Sequence, residues 1–257
     1  MRTKSLLIAA VATLAAGVVT SQAQVYSQNI VGYVNTPLPT GYANVNNPLD
    51  ASDPTSGLVN NSITNLFPVF SGNLDGSVLN IWNGTHYVQY TIDSSWSTGV
   101  GNGSDSAQVN PPPVINPGVA FFFQNTVGSA LTNTFVGTVH VDAPAAGTNV
   151  VGTTTNILTS SPYLTYVSSV LPVGGGLGSV LQLPALSGNL DGSLISVPIF
   201  LGGNIHGFTQ YTVDSSWPSG FGNGSDTAGV AEPVIPVGSG FFFENTVGTP
   251  LQWIQNY

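Results

Sequence analysis

The chain has 257 residues, with only two basic ones, Arg2 and Lys4, against eleven acids, for a formal charge of −9. It contains no cysteine, 31 glycines and 18 prolines, and is 42% hydrophobic and 10% aromatic. So few cations argue against neutralising nucleic-acid phosphates and leave no Arg clamp, Schiff-base lysine or P-loop lysine, whereas the apolar content is that of a chain with a core.

Residues 1–23 read as a secretory signal peptide. Arg2 and Lys4 make a basic start, Leu6 to Val19 is an apolar run, and Ser21-Gln22-Ala23 has the small-residue form of a cleavage site. The run is short for a bilayer span and no second one follows, so no stable membrane span is expected after cleavage. Removing it would leave about 234 residues with no Lys or Arg and a formal charge of −11. The expected destination is secreted, cell-surface or periplasmic, and an anionic membrane should repel the chain. With no disulfides, stability must come from a core, backbone hydrogen bonds or bound ions.

Beyond that segment the chain carries strand and turn signals and no helical periodicity. Ser71 to Ser77 (SGNLDGS) opens a series of blocks that recur. Asn83-Gly84, between Ile81-Trp82 and Thr85-His86-Tyr87-Val88, reads as a type I′ hairpin. Gln89-Tyr90-Thr91-Ile92 alternates, sending Tyr90 and Ile92 to one face. Asp75-Gly76, Asp191-Gly192, Asn102-Gly103 and Asn223-Gly224 are turn dipeptides. Phe121-Phe122-Phe123 should bury rings on both faces of a strand.

SGNLDGS returns at Ser187 to Ser193, offset by 116 residues. QYTIDSSWSTGVGNGSD (Gln89 to Asp105) returns as QYTVDSSWPSGFGNGSD (Gln210 to Asp226), identical at 13 of 17 positions and offset by 121. FFFQNTVG (Phe121 to Gly128) returns as FFFENTVG (Phe241 to Gly248), offset by 120. The offsets describe one unit used twice, with about five residues added to the second copy between the first two blocks. The expected fold is all-β: two homologous antiparallel β units, sandwich- or barrel-like, set side by side or joined as one pseudo-symmetric domain. The units are expected at residues 24–141 and 142–257, with the connector around Asp142 to Gly147. Gly174 to Gly178 lacks the Lys and Ser/Thr of a P-loop and reads as a flexible connection.

Four stretches carry a likeness to a known group: VYSQNIVGYVNTPLPTGY (Val25 to Tyr42), IWNGTHYVQYT (Ile81 to Thr91), PGVAFFFQN (Pro117 to Asn125) and TFVGTV (Thr134 to Val139). In these the chain resembles secreted two-repeat β proteins of Verrucomicrobia and related environmental bacteria. The resemblance implies export and repeated β structure and carries no catalytic residue. The second-copy segment FLGGNIHGFTQYT (Phe200 to Thr212) departs from the WNG form.

Six acids lie in the repeated blocks: Asp75, Asp93, Asp105, Asp191, Asp214 and Asp226. Paired carboxylates can perform glycoside hydrolysis when held at a suitable separation, which sequence does not give. Asn73, Asp75 and Asp105, with Asn189, Asp191 and Asp226, offer hard oxygens suited to calcium, and equally suit side-chain-capped turns. Asp93-Ser94-Ser95-Trp96 has no G-x-S-x-G elbow, and His86, His140 and His206 are scattered, so neither a serine nucleophile nor a transition-metal site is indicated; no residue is assigned as catalytic. Trp82, Tyr87, Trp96, Trp217 and Phe221 are the candidate binding residues: exposed, they would stack on sugar rings, and buried they are core. Two functions follow as expectations. One is an exported non-catalytic surface or extracellular interaction protein whose partner is a glycan or a surface protein. The other is a secreted polysaccharide hydrolase using paired aspartates.

Overall fold

A computed structural model describes residues 31–142, 153–158 and 164–256; the expected signal peptide and most of the expected connector lie outside the described residues. Strand content dominates and every strand pairing is antiparallel. The one α-helix among the described residues, α1 (Ile63–Leu66), has four residues.

In the first half, β2 (Gly41–Asn46), β3 (Val78–Trp82), β4 (Tyr87–Ile92), β5 (Val100–Asn102) and β6 (Ala120–Asn125) form a sheet of order β2-β6-β3-β4-β5. A separate ribbon pairs β1 (Val31–Leu38) with β7 (Leu131–Thr138). In the second half, β9 (Leu164–Ser168), β11 (Leu194–Leu201), β12 (Asn204–Val213), β13 (Phe221–Asn223) and β15 (Gly240–Glu244) take the same spatial order, β9-β15-β11-β12-β13. Its ribbon pairs β8 (Thr153–Leu158) with β16 (Leu251–Asn256), and a small extra pair joins β10 (Gly175–Gly176) to β14 (Val234–Ile235).

Alternation along the strands decides what each face buries. Phe121 and Phe123 point into the first core with Leu79, Ile92 and Val45, all fully buried. The ribbon closes that core with Leu38 and Phe135, and the segment around α1 adds Ile63 and Phe67, whose ring stacks on Phe123 at 5.4 Å. Tyr90 packs against the same core, as alternation predicts. Phe241, Phe243, Ile195 and Val213 repeat the pattern in the second core, where Trp253 of β16 is fully buried and donates its indole N–H to Leu181 O at 2.8 Å.

The middle phenylalanines go the other way. Phe122 and Phe242 leave the outer faces of their sheets and meet in a third, aromatic layer with Tyr166, whose ring stacks on Phe242 at 4.2 Å. Both faces of the triple-Phe strand are thus buried, in two different cores. The two halves are also joined by a matched pair of backbone bonds from the ends of edge strands β2 and β9, Asn46 N–H to Gly238 O and Ser168 N–H to Gly118 O, each 2.9 Å. Packing is tight there: a Cβ on Gly240 would fall 2.1 Å from that of Ala120, so only one of these two facing positions can carry a side chain.

Two local expectations shift. The first hairpin turns on Gly84-Thr85 rather than Asn83-Gly84, because the Asn83 carboxamide accepts the N–H groups of Thr85 and His86, both at 3.0 Å. The Gly174 to Gly178 stretch is ordered structure: β10 pairs with β14, and the Glu232 carboxylate accepts the N–H groups of Gly178 and Ser179 at 2.8 and 2.9 Å. Burial opposes ionisation of Glu232, but the donors of Ser179 and Gly178 outweigh it and hold the carboxyl below its usual range. The flexible connection read from the glycines is therefore a clamped turn.

Candidate functional site

The repeated blocks build the same small assembly at two places. Asp75 accepts two bonds from Ser94, N–H to Oδ1 at 2.9 Å and Oγ to Oδ2 at 2.7 Å; Asp191 accepts the same two from Ser215, both at 2.8 Å. Asp93 and Asp214 each accept the N–H two residues on, from Ser95 and Ser216, at 2.7 Å. The indole N–H of Trp96 donates to Asp105 at 2.8 Å and that of Trp217 to Asp226 at 2.9 Å. Asp105 and Asp226 both stand at φ 53°, a left-handed turn position that Asp tolerates.

The four differences between the 17-residue copies leave this assembly unchanged. Ile92 and Val213 are both fully buried, as are Val100 and Phe221. Thr98 and Ser219 keep a hydroxyl on equivalent acceptors, the carbonyls of Val100 and Val109 in one copy and of Phe221 and Val230 in the other. Ser97 and Pro218 are exposed.

Chemically these carboxylates act as braces. Hydrogen bonds from Ser95 hold Asp93 below the ordinary range, and those from Ser216 do the same for Asp214, with Asp105 and Asp226 adding to it. Asn73 and Asn189 sit exposed, their N–H groups donating to Ser71 and Ser187 Oγ at 3.2 Å. Among the described residues, no group of three His, Asp or Glu side chains is placed to hold a metal.

The aromatic candidates separate into three environments. Trp82 lies in the aromatic layer between the sheets, its N–H donating to Leu164 O at 2.6 Å, and Tyr87 packs edge-on to it at 5.0 Å. Tyr87 keeps 36% of its surface exposed, and burial of the remainder pushes its hydroxyl up to about 12. Trp96 and Trp217 are half-buried, each in its own turn assembly. Phe221 is fully buried in the second core and presents no surface to a ligand.

Phe208 was missed by sequence reasoning. It stands two residues before Gln210, as Tyr87 stands two before Gln89, and it is 42% exposed. Tyr87 leans on Phe122 at 5.9 Å and Phe208 on Phe242 at 5.7 Å, so the aromatic layer ends in an exposed ring on each sheet. Counting back from the QYT anchor would have found it. No sequence signal marks the two clefts between the halves, one of about 600 Å³ lined by Tyr42, Asn44, Pro198 and Phe200, the other of about 420 Å³ lined by Trp82, Asn156, Leu164 and Tyr166.

No protein-family model matches the chain, and no curated protein or solved structure matches it. No helix among the described residues is long and apolar enough to cross a membrane.

Proposed function

We propose that the chain is an exported, non-catalytic interaction protein that presents aromatic surface on a duplicated β scaffold, with glycan as its ligand class. The observation that carries this reading is the matched pair Tyr87 and Phe208, partly exposed rings backed by Phe122 and Phe242. Rings held this way offer an apolar surface without a large ordering cost. Gln210, exposed beside Phe208 in sequence, supplies an amide for hydroxyls, and Gln89, whose amide N–H donates to Asn80 at 2.8 Å, supplies its carbonyl. The hydrolase reading needs a carboxylic acid held protonated near the working pH. Among the repeated acids, Asp93 and Asp214 are moved the opposite way by the Ser95 and Ser216 donors.

A glycan array followed by calorimetry tests the reading. Binding that drops at least tenfold in Tyr87→Ala or Phe208→Ala, with the fold intact, supports it. Release of reducing ends from a polysaccharide, lost in Asp93→Asn, would return the hydrolase. The calcium expectation, at Asn73, Asp75, Asp105, Asn189, Asp191 and Asp226, competes with the Ser and Trp donors that already occupy these aspartates; equal melting midpoints with and without chelator would remove it.

A further inference from the structure

We propose that His140 is a pH-sensitive clasp, holding the first-half ribbon to strand β8 when protonated and loosening that tie when neutral. The argument starts from Asp50. Its backbone is locked to the last residue of β7 by two bonds, Asp50 N–H to Thr138 O at 2.8 Å and Thr138 N–H to Asp50 O at 2.9 Å. Its carboxylate accepts the Asn61 amide at 2.9 Å on Oδ1, and Oδ2 lies 2.6 Å from His140 Nδ1. The other ring nitrogen, Nε2, lies 3.9 Å from Asp142 Oδ1. Asp142 in turn accepts the Thr155 hydroxyl at 2.7 Å and donates its N–H to Thr153 O at 3.0 Å, both on β8. One imidazole therefore stands between two carboxylates, one fixed to each ribbon.

Only the imidazolium carries a charge that attracts both carboxylates at once: Asp50 through a hydrogen bond at 2.6 Å, and Asp142 through the longer ion pair at 3.9 Å. Neutral His140 can still serve Asp50, but then Nε2 carries no proton and Asp142 faces Asp50 with less compensation. The described residues contain no Lys or Arg, so no other permanent cation can take over. Asp50 and Asp142 are the charged groups acting on the ring.

The direction of titration agrees. The bond to Asp50 raises His140, outweighing burial, and the charges of Asp50 and Asp142 add to it. For Asp50, burial opposes ionisation, but the bonds from His140 and Asn61 with the His140 charge win, and the carboxyl sits low. A histidine raised in the fold stabilises fully below its unfolded value, about 6.5, and loses that contribution as pH rises through the folded value. A lowered aspartate stabilises above about 3.9 and loses its contribution as pH falls through the folded value. The clasp is tightest between those limits and opens on the alkaline side.

The test is an NMR titration of the histidine rings together with melting scans from pH 6 to 9. His140 should titrate above about 6.5, and the wild-type midpoint should fall by roughly 2–4 °C across that range. Asp142→Asn should lower the His140 titration, and His140→Gln should flatten the melting profile. A His140 ring titrating at or below the free value, or a His140→Gln protein with the full wild-type slope, overturns the proposal. Should His140→Gln not fold, the titration of the wild-type ring still decides.

Discussion

The hairpin β3–β4 and the hairpin β11–β12 occupy the same position in sheets of the same order, yet they protect the neighbouring half by different means. β3–β4 ends at the pair Trp82 and Tyr87, while β11–β12 continues past the equivalent pair, Pro198 and Phe208, to a tip at Gly202-Gly203. The extra length is the five residues seen as a change of offset between the repeated blocks. In the longer hairpin the tip carbonyl Gly203 O accepts the Tyr42 N–H at 2.6 Å, so backbone seals edge strand β2. In the shorter one, the Trp82 indole reaches Leu164 O at 2.6 Å and seals edge strand β9. Unsealed edge strands invite pairing with other chains, and the comparison shows that a long side chain and a short insertion are interchangeable remedies.

The longer hairpin should be the more easily disabled. A Cβ on Gly41 would lie 2.1 Å from Gly203 O, with the backbone at φ 87°, so neither the space nor the conformation admits alanine. Gly41→Ala should cost about 3 kcal/mol or more, seen as a fall in melting midpoint of roughly 6–12 °C. Gly202→Ala is the control: it has φ 58° but nothing within 4 Å, so only the left-handed conformation, about 1–2 kcal/mol, is charged against it. If the two variants melt together, the tip does not seat on β2.

The shorter hairpin concentrates its seal in one N–H. Trp82→Phe keeps a ring near Phe242, now 6.1 Å from the indole, but leaves Leu164 O without its donor. The expected cost is about 1–3 kcal/mol, measured by urea unfolding with an unchanged denaturant slope. A loss below about 0.5 kcal/mol would mean that water replaces the indole freely, making Trp82 a packing residue only.

How much of this was legible in sequence follows from which signals are local. Phe121-Phe122-Phe123 announced burial on both faces because strand period is two, but it did not say that Phe122 would meet Tyr166 and Phe242 rather than a helix. The five-residue change of offset was visible, whereas its purpose was not, since the Gly203–Tyr42 bond joins residues far apart in the chain. Turn chemistry was readable at Asp93 and Asp214, whose partners are two residues away. It was unreadable at Glu232, whose partners Gly178 and Ser179 are more than fifty residues away, and there glycine content alone suggested flexibility. The His140 clasp was hidden for the same reason: 90 residues separate it from Asp50.

The smallest expected effect concerns the feature that the two halves share most closely. Trp96→Phe and Trp217→Phe each remove one indole donor, from Asp105 and from Asp226, near the surface where water can substitute. Each should cost about 1 kcal/mol, and the two costs should agree within about 0.5 kcal/mol, because the surrounding bonds are duplicated nearly ångström for ångström. The glycan binding we propose should survive both, since the exposed rings of the aromatic layer are Tyr87 and Phe208. Loss of binding in either variant without loss of stability would move the recognition surface from the aromatic layer to the Asp–Ser–Trp turns, and would make the duplicated turn a paired ligand site instead of a paired brace.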